Sequence, residues 1–274
     1  MSRIQHILEK AEREGSVLRM RSMTEAAPLA FEQSPAMAPQ VFDEPLVIEP
    51  SAAPALTPGR TVRDTELDPH LVAALEPGAA AAEQYRALRT RLLHADHAAY
   101  GNVILVTSPG RREGKTLTAA NLALTMAQDF QRRICIVDAD LRHSRLHTLF
   151  GLSEAPGLAD VLDGRATLSD ALTLVEDQQI TMLPAGRASA HPAELLGSSA
   201  MRQTLETLRS QFDRVIIDAP PTGPLADLGI LAPLADRIVL VVRAGVTMKP
   251  AIQDAVAGIG ATQLLGVVLN DATG

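Results

Sequence analysis

The sequence predicts an open, doubly wound α/β domain, with a mainly parallel sheet and helices on both of its faces. Three observations carry this. Continuous Val/Ile/Leu-rich runs recur without polar alternation, as in strands buried on both faces. They alternate with helix-like segments, the order that builds parallel sheets. The first of them runs directly into a glycine-bearing, phosphate-binding type of loop, and such folds place ligands at the carboxyl ends of their strands.

In chain order, residues 1–20 place Ile4, Ile7, Leu8 and Ala11 at helical spacing with charges opposite, which predicts an amphipathic N-terminal helix. Residues 21–70 are rich in Ala, Pro and Ser and read as a disordered linker; eight of the eighteen prolines fall between Pro28 and Pro69. Residues 71–274 then form the globular domain. Strands are expected at Asn102–Thr107, Arg133–Val137, Ile180–Leu183, Arg214–Ile217, Arg237–Val242 and Leu264–Leu269. Helices are expected at Ala80–His94, Lys115–Gln128, Gly157–Leu162, Ser199–Gln211, Leu225–Leu234 and Ala251–Ile259.

Composition narrows the function. A net charge of −7 with no long basic run argues against general nucleic-acid binding. Cys135 is the only cysteine and lies in an apolar run, which excludes a disulfide framework or a cysteine-ligated metal. The N-terminus carries Arg3, His6, Glu9 and Lys10 where a signal peptide is apolar, and no stretch reaches the roughly eighteen apolar residues of a membrane span. A cytoplasmic protein is expected.

The chemistry lies at three strand ends. Lysine occurs only at Lys10, Lys115 and Lys249, and Lys115 sits in Thr107-Ser108-Pro109-Gly110-Arg111-Arg112-Glu113-Gly114-Lys115-Thr116. In a chain that otherwise uses arginine, an ammonium has been kept where a compact charge can reach between phosphates. Loop N–H groups from Gly110 to Leu117 and the helix dipole then favour a polyphosphate, and the Thr116 hydroxyl can ligate Mg²⁺. The second strand end delivers Asp138 and Asp140 at i and i+2, followed by Arg142. Beside a phosphate loop, such a pair supplies a proton acceptor and a metal or metal-water ligand. The third, Val215-Ile216-Ile217-Asp218-Ala219-Pro220-Pro221, ends in a carboxylate able to hold Mg²⁺. ATP with Mg²⁺ is the inferred ligand.

Together the segments 107–116, 137–142 and 215–221 resemble the Walker A, Walker A′ and Walker B motifs of the bacterial tyrosine kinases (BY-kinases) of capsule and exopolysaccharide synthesis. These are P-loop proteins of the deviant Walker A type, related to partitioning ATPases. The resemblance extends from about Ala80 to Asn270, with matches at Gly157–Leu162 and Pro192–Leu196. Glu83, Arg86 and Arg89 fit the family's Glu-x-x-Arg-x-x-Arg helix, which implies ring-shaped self-association; read alone, they form a solvated charged stripe with an internal pair.

By the same resemblance Lys115 and Thr116 bind phosphate and Mg²⁺, Asp138 and Asp218 organise the metal, and Asp140 accepts the tyrosine proton. Arg142 holds phosphate or the strand end, Asp227 orders the loop after Walker B, and Asn270 faces the adenine. A membrane polysaccharide chain-length (co-polymerase) protein is the implied partner, recruiting the chain to the inner face of the membrane.

Departures from the family are equally legible. The chain stops at Gly274 without a tyrosine-rich tail, and its only tyrosines are Tyr85 and Tyr100, so autophosphorylation of a C-terminal cluster is not expected. Pro109 replaces the first loop glycine, Arg111 and Arg112 add charge, and His191 precedes Pro-Ala-Glu-Leu-Leu. Gly110 stands where partitioning ATPases carry a second lysine, which argues against that family. The expected activity is tyrosine phosphorylation; the alternatives are an ATP-dependent assembly switch without kinase activity and, behind it, a partitioning or positioning ATPase.

Overall fold

The computed structural model describes residues 56–95, 101–128, 132–223, 227–259 and 263–272. The expected N-terminal helix and the linker as far as residue 55 lie outside the described residues. Among the described residues eight strands form one sheet: β1 (Arg60–Val62), β2 (Val103–Thr107), β3 (Ile134–Asp138), β4 (Thr173–Val175), β5 (Ile180–Leu183), β6 (Arg214–Asp218), β7 (Arg237–Arg243) and β8 (Leu264–Asn270). Their order is β1-β4-β5-β3-β6-β2-β7-β8. All neighbours are parallel except β4 and β5, which pair antiparallel.

Both faces of the central strands are buried. Val103 and Leu105 of β2, Val215 and Ile217 of β6, and Ile238 and Leu240 of β7 enter one hydrophobic core. The alternate residues Ile104, Val106, Ile216, Val239 and Val241 enter a second core, covered by the helix Lys115–Ala127. Period-two alternation between two apolar environments is why these strands read as unbroken apolar runs. Cys135 is buried in the first core, where burial raises its thiol pKa.

The predicted linker does not extend to residue 70. Residues 60–62 pair in register with 173–175, and Leu71 and Ala73 are buried against the Lys115–Ala127 helix. Asn121 of that helix secures them: its Oδ1 accepts from the Ala73 N–H at 3.0 Å and its Nδ2 donates to the His70 carbonyl at 3.1 Å. β1 and β4 are three residues each, too short for a periodic signal, and exist through pairing. The last predicted helix but one is described from Asp227, as Asp227–Leu231 followed by a 3₁₀ turn at Ala232–Leu234.

Among the described residues, no helix is long and apolar enough to cross a membrane.

Candidate active site

Parallel pairing brings the three motifs together, because β3, β6 and β2 are consecutive neighbours and end at one level. Asp138 lies opposite Asp218 in the β3–β6 register, and Val106 lies opposite Asp218 in the β2–β6 register. The Ala139 N–H donates to the Asp218 carbonyl at 2.9 Å, and the Ala219 N–H to the Val106 carbonyl at 3.0 Å, so pairing continues past each acid. The Thr107 hydroxyl donates to the Pro220 carbonyl at 2.7 Å, tying the start of the phosphate loop to the loop after β6.

The phosphate loop turns through two residues of positive φ, Arg112 at 62° and Gly114 at 91°. The positive φ of Gly114 favours glycine, and a Cβ there would also displace the Asn270 amide, whose Nδ2 would lie 2.1 Å away. The Ser108 hydroxyl donates to the Gly110 carbonyl at 2.6 Å. The first intrahelical bond runs from the Thr118 N–H to the Gly114 carbonyl at 2.8 Å. The N–H groups of Lys115, Thr116 and Leu117 are therefore helix-terminal donors, the arrangement that receives phosphate. Arg111 and Arg112 point to solvent, while Leu117 is partly buried against the second core.

Lys115 joins the motifs. Its Nζ lies 2.9 Å from Asp140 Oδ2, 3.2 Å from Asp218 Oδ1 and 3.3 Å from Thr116 Oγ1. Its side chain is 11% exposed and that of Asp218 1%. Burial works against the lysine charge, but Asp218 and Asp140 more than offset it, and the pKa is raised. Burial raises the Asp218 carboxyl against the pull of Lys115, and burial with the charge of Asp218 lifts Asp138 to about 8. Asp140 and Asp218 set two carboxylates against the one ammonium, leaving an excess of negative charge.

That excess fits a divalent cation. Asp218 Oδ2 is buried and accepts no hydrogen bond among the described residues, and the Thr116 hydroxyl is beside the same carboxylate. No cage of three acidic, histidine or cysteine ligands occurs among the described residues. Mg²⁺ needs none, since it takes one or two protein oxygens and completes its shell with phosphate and water.

The remaining predicted residues fall in several places. Both oxygens of Asp138 are used by the backbone, accepting from the Asp140 and Leu146 N–H groups at 3.1 Å each. Asp140 Oδ1 accepts from the His143 N–H at 3.1 Å, while Oδ2 faces Lys115. Asp140 also lines an open cleft of about 720 Å³, with Arg111, His143, Ser189 and Pro221 among its other walls.

Arg142 is turned to Asp227 rather than to the loop, with a two-pronged contact at 2.6 and 3.1 Å. Asn270 Nδ2 donates to the Glu113 carbonyl at 3.0 Å, so its amide serves the loop backbone. Glu83 pairs with Arg86 within the helix, Arg86 Nη2 donates to the Pro77 carbonyl at 2.7 Å, and Arg89 to the Thr125 carbonyl at 2.5 Å. The stripe is thus internally engaged in the single chain. The Arg142–Asp227 contact spans 85 positions and left no signal in local sequence.

Comparison with known proteins agrees with this geometry. An AAA domain model matches residues 102–262. Tyrosine-protein kinase YwqD of Bacillus subtilis is 33% identical over 213 residues, covering 77% of this chain and 90% of that protein. Tyrosine-protein kinase wzc of Salmonella typhimurium is 30% identical over 202 residues, 73% of this chain but 28% of the relative. The kinase domain of Escherichia coli tyrosine kinase ETK superposes with a TM-score of 0.72 at 27% identity, covering 78% of this chain and 89% of that one. With its three motifs assembled as such a domain requires, the chain belongs to the bacterial tyrosine-kinase family of P-loop nucleotide-binding proteins.

Proposed function

We propose that the chain is a Mg-ATP-dependent protein-tyrosine kinase that regulates exopolysaccharide or capsule assembly. The observation that carries this is the simultaneous contact of Lys115 with Asp140 and Asp218, which gathers a phosphate-binding cation, a metal carboxylate and a proton acceptor, the last of them lining the open cleft. Loop N–H groups and Lys115 hold the β- and γ-phosphates. Asp218 and Thr116 would hold Mg²⁺, with Asp138 behind them anchoring the loop after β3 and adding a further carboxyl to the cation's surroundings. The tyrosine oxygen attacks the γ-phosphorus in line, its proton passes to Asp140, the bond to the β-phosphate oxygen breaks, and ADP leaves. Bound Mg²⁺ supplies charge neutralisation; positioning and electrostatics do the remainder.

A membrane polysaccharide chain-length protein is the proposed partner, engaged through residues 1–20 and placing the kinase at the inner face of the membrane. Ring assembly through Glu83, Arg86 and Arg89 exchanges their internal contacts for intersubunit ones.

The test is incubation with γ-labelled ATP, Mg²⁺ and the membrane partner, followed by phosphotyrosine mapping. Asp140→Asn is expected to lower transfer about 10²- to 10³-fold, because the proton acceptor is lost together with one of the two charges paired to Lys115, while the loop N–H groups and Lys115 still bind ATP. Tyr85 is partly buried and lines a different groove, against β8, so it is not presented to Asp140. That placement favours the second reading, an ATP-dependent assembly switch, if nucleotide-dependent oligomerisation occurs with no labelled tyrosine on either protein.

The carboxylates also predict a pH signature. Since Asp138 titrates near 8, it is largely protonated at neutral pH, and the cation favours its ionised form. Mg-ATP binding should therefore release protons below that value, with the release fading as the pH rises past it. Calorimetry in buffers of different ionisation enthalpy measures it; release that does not fade above pH 8 contradicts the assignment.

A further inference from the structure

Gly114 ends the phosphate loop and caps the helix Lys115–Ala127, at φ 91° and ψ 14° and with no side chain bonded to the helix end. Glycine reaches this conformation freely, and reaches its negative-φ counterpart as freely. The two differ in which way the peptide plane between Glu113 and Gly114 faces. In a trans peptide the carbonyl and the N–H point in opposite directions, so turning that plane over exchanges a donor for an acceptor. A carbonyl facing an incoming phosphate repels it, whereas an N–H adds one more donor to those of the helix terminus. The glycine itself does not decide between them.

A residue 157 positions away does. Asn270 ends β8, and its Nδ2 donates to the Glu113 carbonyl at 3.0 Å. That carbonyl also fixes which end of the amide faces the loop, since the amide oxygen would oppose another acceptor. The backbone of Asn270 is held in turn. It lies opposite Arg243 in the β7–β8 register, and the Ala244 N–H donates to its carbonyl at 2.8 Å. Arg243 Nε donates to Asp271 Oδ2 at 2.7 Å, which pins the next residue as well.

The Glu113 carbonyl is therefore tied to the sheet, and the Gly114 N–H is turned to the opposite side. There it meets no hydrogen-bond acceptor among the described residues, which leaves it to a ligand.

We propose that Asn270 is a positioning residue: by holding the Glu113 carbonyl it presents the Gly114 N–H to phosphate, without itself touching the phosphates. This rests on the reading of the loop as a polyphosphate site. It differs from a role in facing the adenine, and a ligand without a base separates the two. Binding of magnesium tripolyphosphate is measured by calorimetry beside that of Mg-ATP. Asn270→Leu keeps the volume and the charge and loses the donor; Asn270→Gln keeps an amide on a longer stem. The affinity for tripolyphosphate should fall about tenfold in the Leu variant and recover in part in the Gln variant, with ATP following by the same factors. A residue that only fills space would leave the Leu variant close to wild type. If the Leu variant does not fold, Asn270→Ala takes its place with the same expected loss.

Tripolyphosphate affinity that is unchanged on loss of the amide, or a Gln variant no better than Leu, overturns the proposal. A loss confined to ATP would assign the amide to the base and overturn it too. A wild-type chain that binds neither ligand would remove the polyphosphate site itself, and the proposal with it.

Discussion

Lys115→Met is expected to lower phosphotyrosine formation about 10³-fold, through loss of a preorganised charge at the transferring phosphoryl group. Its second effect falls on the fold. Asp140 and Asp218 would keep their burial and lose the ammonium now 2.9 and 3.2 Å away. Removing one partner from a buried ionic cluster costs about 3 kcal/mol. Part of this is recovered at low pH, where the acids take up protons, so the deficit should widen as pH rises. Thermal melts of variant and wild type at several pH values read this directly. Lys115→Arg separates the effects: it restores charge to the cluster, yet a planar guanidinium does not replace the ammonium between phosphates. An Arg variant with full transfer would show that charge alone matters there.

Gly157→Ala is expected to cost as much stability as Lys115→Met, for a purely steric reason. The residue is extended and of ordinary φ, so backbone strain is not the reason. A Cβ there would lie 2.2 Å from the Gly186 N and 2.4 Å from the Pro184 carbonyl oxygen, both backbone atoms that cannot turn aside. The approach is secured by the Leu158 N–H donating to the Pro184 carbonyl at 2.7 Å and the Ala159 N–H to that of Ala185 at 2.8 Å. Opening it should cost about 3 kcal/mol, as for overpacking in a tight interior. For a domain of this size the melting temperature would then fall by about 6–12 °C. A variant melting within a degree or two of wild type would mean that the loop after β5 moves freely. That loop continues into Ala188 and Ser189, which line the cleft facing Asp140, so substrate turnover should suffer along with stability.

What sequence reading recovered follows from the length and burial of each element. β2, β3, β6 and β7 hold five to seven residues with both faces buried, and such runs announce themselves. Helix Ser199–Gln211 was equally legible, with an N-cap serine whose hydroxyl accepts from the Met201 N–H at 3.1 Å. The short helices Leu146–Leu149 and Leu168–Ala171 have one turn each and are set by tertiary contacts, such as the Leu146 N–H donating to Asp138.

The acids of the site were readable because each ends an apolar strand. Their division of labour was not. That Arg142 meets Asp227 and that the Asn270 amide meets the Glu113 carbonyl depends on neighbours far apart in the chain. Local spacing carries no record of such meetings.

The position of Lys115 also bears on the order in which ligands arrive. Its ammonium lies against the carboxylate and the hydroxyl that would hold a metal ion, touching Asp218 Oδ1 and Thr116 Oγ1. A tethered cation gives up no translational freedom in sitting there, whereas a dissolved Mg²⁺ must surrender both freedom and tightly held water. Bare metal therefore competes at a disadvantage. A polyphosphate changes the contest, since it draws the lysine towards itself and adds negative charge to the same spot. The two ligands become a single key, and the protein is expected to ignore either half alone.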